Sequence, residues 1–277
     1  MQETKKRVSR NVIIVAFVAL ASGFGQDLIT PILPGFLLAL GLNKANIGLI
    51  DGLLQGTTSI FRFISGLLSD RLRNRKALVF FGYALSAISR PLLALTGSFA
   101  SIAFLRIVDG AGKGTKDAPR DALIADSSEG VSGRAFGFHR LVDTAGSVLG
   151  PLLASAILLL FTPALSTYRF IFAMAIAPGA VALALIYFGI KEPATREREK
   201  ITTTKPLPWQ FWLFAIAASI VMLTKVNDSL FLVRASDLGI ASSYLPAIFA
   251  GFTLLYAALS YQIGILKIGR ASCRERV

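Results

Sequence analysis

Histidine and cysteine occur once each in the 277 residues, tryptophan twice and methionine three times. Zinc and haem therefore find almost no side chains to bind, and no metal or other cofactor is expected. The single cysteine, Cys273, lies close to the last residue, which excludes a disulfide framework. Charged residues make up only 16% of the chain, against roughly 25% in soluble domains. Too few are present to cover a water-facing surface. Acidic residues are scarcest, 16 Asp and Glu against 29 Lys and Arg, for a net charge of +13. Such a balance suits nucleic acid only when it forms a face on a soluble fold. Here the basic residues cluster between long apolar runs, so no nucleic-acid partner is expected.

What is present is apolar, 54% of all residues. A bilayer core about 30 Å thick requires roughly 20 mostly apolar residues per helix. Candidate spans fall near 11–39, 46–69, 77–97, 100–122, 136–162, 167–190, 209–232 and 244–266. The expected fold class is an all-α membrane protein, with the lipid bilayer as an obligatory partner. The first span is too long and too rich in proline for a cleavable signal peptide. Lys5, Lys6, Arg7 and Arg10 precede it, and Arg71, Arg73, Arg75 and Lys76 follow the second span, whereas "TGS" (96–98) carries no charge. Lys and Arg mark cytoplasmic loops. The chain reads as a multi-pass protein of the inner (cytoplasmic) membrane with a cytoplasmic N-terminus.

"KEPATREREKITTTKPLP" (191–208) is the one long polar interruption. It separates an expected six-helix lobe, 1–190, from the first two helices of a second lobe, 209–266. A weak repeat supports this division: Asp27 against Asp228, and "LGLNKANIG" (40–48) against "LGIASSYLP" (238–246). The last residues, 267–277, lose apolar periodicity and read as a tail foreign to the fold, with the chain expected to be cut short after its eighth helix.

Four motifs follow one another in order. "GLLSDRLRNRK" (66–76) supplies Gly66, Asp70, Arg71, Arg75 and Lys76. "FGQDLITPILP" (24–34) has Gly25, Pro31 and Pro34; "RIVDGAGKG" (106–114) has Arg106, Gly110 and Gly112; "GSVLGP" (146–151) has Gly146, Gly150 and Pro151. Together they resemble motif A, the first-span motif, motif B and motif C of the major facilitator superfamily, in its drug:proton antiporter branch. The pattern is departed from in places: Arg73 replaces a glycine, Asn74 a basic residue, Asp109 a glutamine, and Ala154-Ser155 a glycine pair. The resemblance implies that the 66–76 loop is a gate held by ion pairs, and that Pro31, Pro34, Gly110, Gly146, Gly150 and Pro151 shape and pack helices. It also implies a small-molecule substrate, a proton as coupling ion, and a monomer when full-length.

Charge periodicity adds a reading of its own. Arg106, Asp109, Lys113, Lys116, Asp117, Arg120 and Asp121 fall within about 140° of the fourth helix. Each charge at mid-bilayer costs about 2.5–3.5 kcal/mol on insertion scales, so the stripe must face protein or water. Alternatively, Gly112, Gly114 and Pro119 break this helix and leave Lys116 to Asp121 in solvent. The second span carries Asp51, Gln55, Thr58, Arg62, Gly66 and Ser69 on one stripe, and the fifth carries His139 and Asp143, one turn apart and able to hydrogen-bond. Arg62, Arg106 and Lys113 are candidates to line a substrate cavity. Asp27, Asp109, His139 and Asp143 are candidates to carry a proton.

No catalytic residue stands out. "GAGKGTKD" (110–117) lacks the Gly-Lys-Ser/Thr of a phosphate loop and a preceding strand, which leaves ATP drive unsupported. The leading reading is a secondary active transporter moving a small organic solute by alternating access, as proton-coupled efflux. A proton-coupled importer of a sugar or organic anion is the alternative within that class. An integral-membrane enzyme or a non-transporting receptor is the alternative outside it.

Overall fold

The computed structural model describes residues 9–71, 74–128, 132–192, 208–223 and 227–274. It is helical, with no strand among the described residues. The first span is α1 (Arg10–Ile29) and α2 (Leu33–Ala39), broken where Pro31 withholds an N–H; Pro34 begins α2, where no partner is needed. Next come α3 (Lys44–Arg71), α4 (Arg75–Leu92) with a 3₁₀ turn at Leu93–Leu95, α5 (Phe99–Asp126) and α6 (Ser132–Leu160). The sixth span is α7 (Leu165–Met174), α8 (Ile176–Ala184) and a π turn, Leu185–Gly189.

The seventh span differs from the expected single helix over 209–232. It is two helices, α9 (Trp209–Leu223) and α10 (Asp228–Asp237), the second capped by the Asn227 side chain and running past the expected end. Residues 224–226 lie outside the described residues. Finally, α11 (Leu245–Arg274) carries helix across the boundary expected at 267.

Arg10–Ala39, Arg75–Leu95, Gly133–Leu160 and Leu165–Gly189 are long and apolar enough to cross a bilayer. At 1.5 Å per residue, α3 and α5, each 28 residues, reach about 42 Å and are long enough too. Their charges set them apart, and these two helices pack on each other along their length.

The packing is inverted relative to a soluble protein. Ser22, Asp51, Thr58, Ser65, Ser86, Arg90, Arg106 and Asp109 are buried, while Ile60, Phe63, Phe81, Ile88, Phe104 and Leu141 are exposed. Such an outer surface suits lipid. Two apolar plugs lie towards the two ends of the bundle. One gathers Leu28, Phe36, Ile50, Ile102, Leu158 and Phe172, with Phe36 edge-on to the Phe172 ring at 4.9 Å. The other gathers Val12, Val15, Val79, Leu123, Ala182 and Ile186. The polar residues lie between the plugs.

Glycines let the polar helices approach. A Cβ on Gly110 would sit 2.7 Å from the Leu54 carbonyl oxygen on α3, and one on Gly112 2.7 Å from the Gly82 carbonyl oxygen on α4. Gly114 meets α3 at Thr58, and Gly146 and Gly150 meet α1 at Leu20 and Phe24, more tightly still. Thus α5 runs unbroken through Gly112, Gly114 and Pro119, which corrects the alternative that placed Lys116 to Asp121 in solvent. Lys116 is buried, Asp117 and Arg120 are half-buried, and only Asp121 is exposed. Packed neighbours stabilise the backbone that a glycine or proline would otherwise weaken.

The repeat seen in the sequence has a structural counterpart in one turn. After α2, Leu40, Gly41 and Leu42 donate to the carbonyls of Phe36, Leu38 and Leu37; after α10, Leu238, Gly239 and Ile240 donate to those of Arg234, Ser236 and Ala235. The bond pattern is identical, with Gly41 at φ +81° and Gly239 at φ +90°. Only glycine adopts this left-handed conformation cheaply. The two turns lie side by side, because Lys44 just after one bonds Asp237 just before the other at 2.6 Å.

The glycine packing makes a two-sided prediction. Gly146→Ala should lower the thermal unfolding midpoint of the detergent-solubilised protein, at a cost of about 1–3 kcal/mol for overpacking. Gly137→Ala, in the same helix but with nothing within 4 Å, should leave it unchanged or raise it by up to about 1 kcal/mol. Equal effects at both positions would contradict the close approach of α6 to α1.

Candidate functional site, a charged cavity inside the bundle

Four helices meet through one chain of buried charges. Arg90 on α4, 4% exposed, donates from Nε to Asp109 Oδ1 on α5 at 3.1 Å. Its remaining nitrogens reach α1, at the Ser22 carbonyl (3.0 Å) and Gln26 Oε1 (3.3 Å). The second oxygen of Asp109 receives Arg106 at 3.4 Å, and Arg106 lies 3.5 Å from Asp51 on α3. Two arginines and two aspartates balance in this chain. At its far end Asp51 Oδ2 and Arg106 Nε lack hydrogen-bond partners among the described residues. Arg106 and Asp109 were evident from charge periodicity, but Arg90 was not singled out. Its signal was an arginine inside the third span, immediately before Pro91.

Asp27 is 7% exposed and accepts a hydrogen bond from Gln26 Nε2 at 3.2 Å. Gln26 thereby links it to Arg90. No Lys or Arg lies within ion-pair distance of Asp27 among the described residues, which sets it apart from Asp51, Asp109, Asp117 and Asp143.

Beside this chain is a cavity of about 370 Å³, within the usual range for small-molecule sites. Ser22 and Gln26 come from α1; Gln55, Thr58 and Arg62 from α3; Lys113, Lys116, Asp117 and Arg120 from α5; and Arg140, Asp143 and Ser147 from α6, with Tyr83 behind. Asp117 joins Arg62 in an ion pair and lies 3.4 Å from Arg120. Arg62 therefore bridges α3 to α5 instead of reaching out to the membrane surface. Lys116 Nζ donates to Ser22 Oγ at 3.1 Å and stands 4.0 Å over the Tyr83 ring.

His139 and Asp143 do not hydrogen-bond. Asp143 lies 3.6 Å from Arg140, and His139 Nε2 is buried without a partner. Residues one helical turn apart can meet, but Arg140, also on α6, reaches the carboxylate from the cavity side.

Of the 66–76 motif, the side chains of Asp70 and Arg71 lie outside the described residues. Gly66 leaves room, since an added Cβ would sit 3.9 Å from Ala118. Arg75 pairs with Asp126 and donates to the Ala122 carbonyl, tying α4 to the end of α5. The Glu192 carboxylate accepts from the Arg75 and Lys76 backbone N–H groups at 2.9 Å each, and Lys76 Nζ donates to the Tyr187 carbonyl. A carboxylate at a helix N-terminus satisfies free N–H groups and the helix dipole. The described contacts of Gly66, Arg75 and Lys76 all stay within residues 1–192, and none reaches α9 to α11.

The opposite end is clasped. Besides Lys44–Asp237, Ser155 Oγ donates to the Ser243 carbonyl at 2.6 Å, and Val233 of α10 joins the plug around Phe36. The exposed apolar side chains of α9, among them Trp212 and Phe214, stand free of the bundle.

A membrane-embedded helical bundle with a polar cavity between its helices is the architecture of a solute carrier. The chain belongs to the Major Facilitator Superfamily, whose profile matches residues 15–274. The family consists of membrane transporters, not enzymes. An uncharacterized MFS-type transporter of Methanocaldococcus jannaschii is 32% identical over 282 residues, covering 98% of this chain and 70% of that protein. The quinolone resistance protein NorA of Staphylococcus aureus is 26% identical over 145 residues, covering 52% of this chain and 37% of NorA. Among solved structures, a bacterial homolog of the human lysosomal transporter Spinster, inward-facing and occupied, aligns with a TM-score of 0.73 at 18% identity. That alignment takes in 92% of this chain and 60% of the other.

The buried charge chain yields a prediction. Arg90→Met alone leaves Asp109 short of a partner and should destabilise the solubilised protein by about 3–5 kcal/mol. Arg90→Met with Asp109→Leu removes one charge of each sign and leaves Arg106 with Asp51. In thermal denaturation the double variant should be the more stable of the two. A double variant worse than the single would mean that the Arg90–Asp109 pair does not govern this interior.

Proposed function

We propose that this chain is a secondary active transporter that moves a small organic solute across the cytoplasmic membrane by alternating access, coupled to protons and working as an exporter. The observation that carries this reading is a charged, polar cavity among α1, α3, α5 and α6, in a bundle that α10 and α11 clasp at one end. With the N-terminus in the cytoplasm, as the basic loops favour, the clasped end faces outward and the state is inward-facing. The likeness to an inward-facing Spinster homolog supports that state, and the NorA relationship supports export.

In this reading α1 to α8 form one lobe and α9 to α11 begin a second, with a monomer as the working unit. The Lys44–Asp237 and Ser155–Ser243 contacts close the outer side, and the 66–76 loop forms the gate on the inner side. Among Asp27, Asp109, His139 and Asp143, the best proton carrier is Asp27. Asp109 is held by two arginines and Asp143 by one, whereas Asp27 can change protonation without abandoning an ion pair.

Two experiments test this. In proteoliposomes with a quinolone or gluconate as solute, Asp27→Asn should lose pH-gradient-driven transport and retain solute exchange. Full gradient-driven accumulation by this variant would remove Asp27 from the coupling. For orientation, in a Cys273→Ser background, Ser98→Cys should react with an impermeant maleimide from outside the cell and Asn74→Cys should not. The reverse pattern would invert the proposed topology.

A further inference from the structure

The described interior of this molecule carries positive charge that the protein does not neutralise. The Arg90, Asp109, Arg106 and Asp51 chain is balanced, two arginines against two aspartates. Five cations line the neighbouring cavity, with only two carboxylates, Asp117 and Asp143. Asp117 is shared by Arg62 and Arg120, and Asp143 is engaged by Arg140. That leaves Lys113 and Lys116. They lie one turn apart on α5 and share a face.

Lys113 Nζ makes no hydrogen bond or ion pair among the described residues, although the cavity reaches it. Lys116 is 5% exposed, and its partners are the Ser22 hydroxyl and the Tyr83 ring, both uncharged. An ammonium carries three N–H donors, and here most have no acceptor. Asp109 and Asp27 act on Lys113 only through space, from beyond ion-pair distance among the described residues. A charge withdrawn from water is costly unless it is paired. The missing partner is best supplied by what enters the cavity.

We propose that this cavity is a binding site for a small organic anion, a carboxylate or a phosphate ester, with its charged group held between Lys113 and Lys116. The inference rests on the reading of this cavity as the solute path. Gln55, Thr58 and Ser147 provide hydroxyl and amide groups for a polar body. An organic cation would meet an excess of positive charge and two carboxylates already taken. A neutral solute would leave both lysines without a counter-charge in contact. Matched charge across a site both selects the partner and repels the wrong one.

The test is binding to the purified protein in detergent, read as a ligand-dependent rise in unfolding temperature and by equilibrium dialysis. The probes are inorganic phosphate, glucose 6-phosphate against glucose, gluconate against glucose, benzoate against benzyl alcohol, and tetraphenylphosphonium as a cation. At least one anion should bind saturably while its neutral counterpart and the cation do not. Lys113→Gln and Lys116→Gln should each weaken that binding about tenfold or more, Lys113→Arg should preserve it, and Arg169→Gln, exposed on α7 and away from the cavity, should leave it unchanged. Should Lys116→Gln fail to fold, the Lys113 pair of variants decides alone.

Absence of saturable binding by every anion, equal binding within a matched pair, preference for tetraphenylphosphonium, or indifference to Lys113→Gln would overturn the proposal. Lysine-dependent anion binding without gradient-driven flux in proteoliposomes would uphold the site and count against the transport reading. Flux of a neutral or cationic solute that ignores both lysines would do the opposite.

Discussion

The contact between Arg90 and Asp109 governs how this bundle is built. Neither side chain tolerates the apolar interior alone, and each satisfies the other only when α4 and α5 are close and in one register. The remaining nitrogens of Arg90 then fix α1 through Ser22 and Gln26, and the remaining oxygen of Asp109 orients Arg106 towards Asp51 on α3. Lipid gives apolar helix faces little reason to prefer one neighbour over another. A chain of ionic contacts supplies that preference, and it holds α1, α3, α4 and α5 together beside the cavity.

Close approach is the condition for those contacts, and the glycines meet it. Gly110 and Gly114 are separated by four residues and turn the same way, towards α3; Gly112, two residues from each, points nearly opposite, towards α4. One short stretch therefore presses a helix against two neighbours at once. Carbonyl oxygens fill the places where Cβ atoms would be. Ser65 uses the same proximity to donate to the Gly114 carbonyl at 2.8 Å, a bond that no larger residue at 114 would leave room for.

Much of this was legible in the sequence, for a reason that holds residue by residue. A charged side chain within an apolar run must have a partner or water, so Arg106 and Asp109 announced an interior position before any helix was placed. The long spans were likewise plain from length and composition. Partners were not, because a pair such as Arg90 and Asp109 depends on the rotation of two helices that periodicity alone leaves free. For the same reason the spacing of His139 and Asp143 suggested a bond that is not formed, and Asp143 lies 3.6 Å from Arg140 instead. Glycine was misleading on one point: in isolation "GAGKG" weakens a helix, whereas between α3 and α4 it is what lets an unbroken α5 pack against both. Nor does composition foretell that the seventh span breaks before Asp228, where the Asn227 side chain caps a new helix.

The charge chain and the cavity divide the interior into two kinds of polar surface. The chain is electrically closed, with each ion facing its opposite, and it holds helices together. The cavity wall is electrically open, because Lys113 and Lys116 follow the chain along α5 by one turn and two without carboxylates of their own. Both belong to one helix, so any solute that neutralises the lysines acts directly on the element that carries Asp109. Through Asp109 it bears on Arg90, and through Arg90 and Gln26 on Asp27. Occupancy by an anion and the charge state of Asp27 would thus be felt along one short path. Coupling between a solute and a proton needs no longer connection than this.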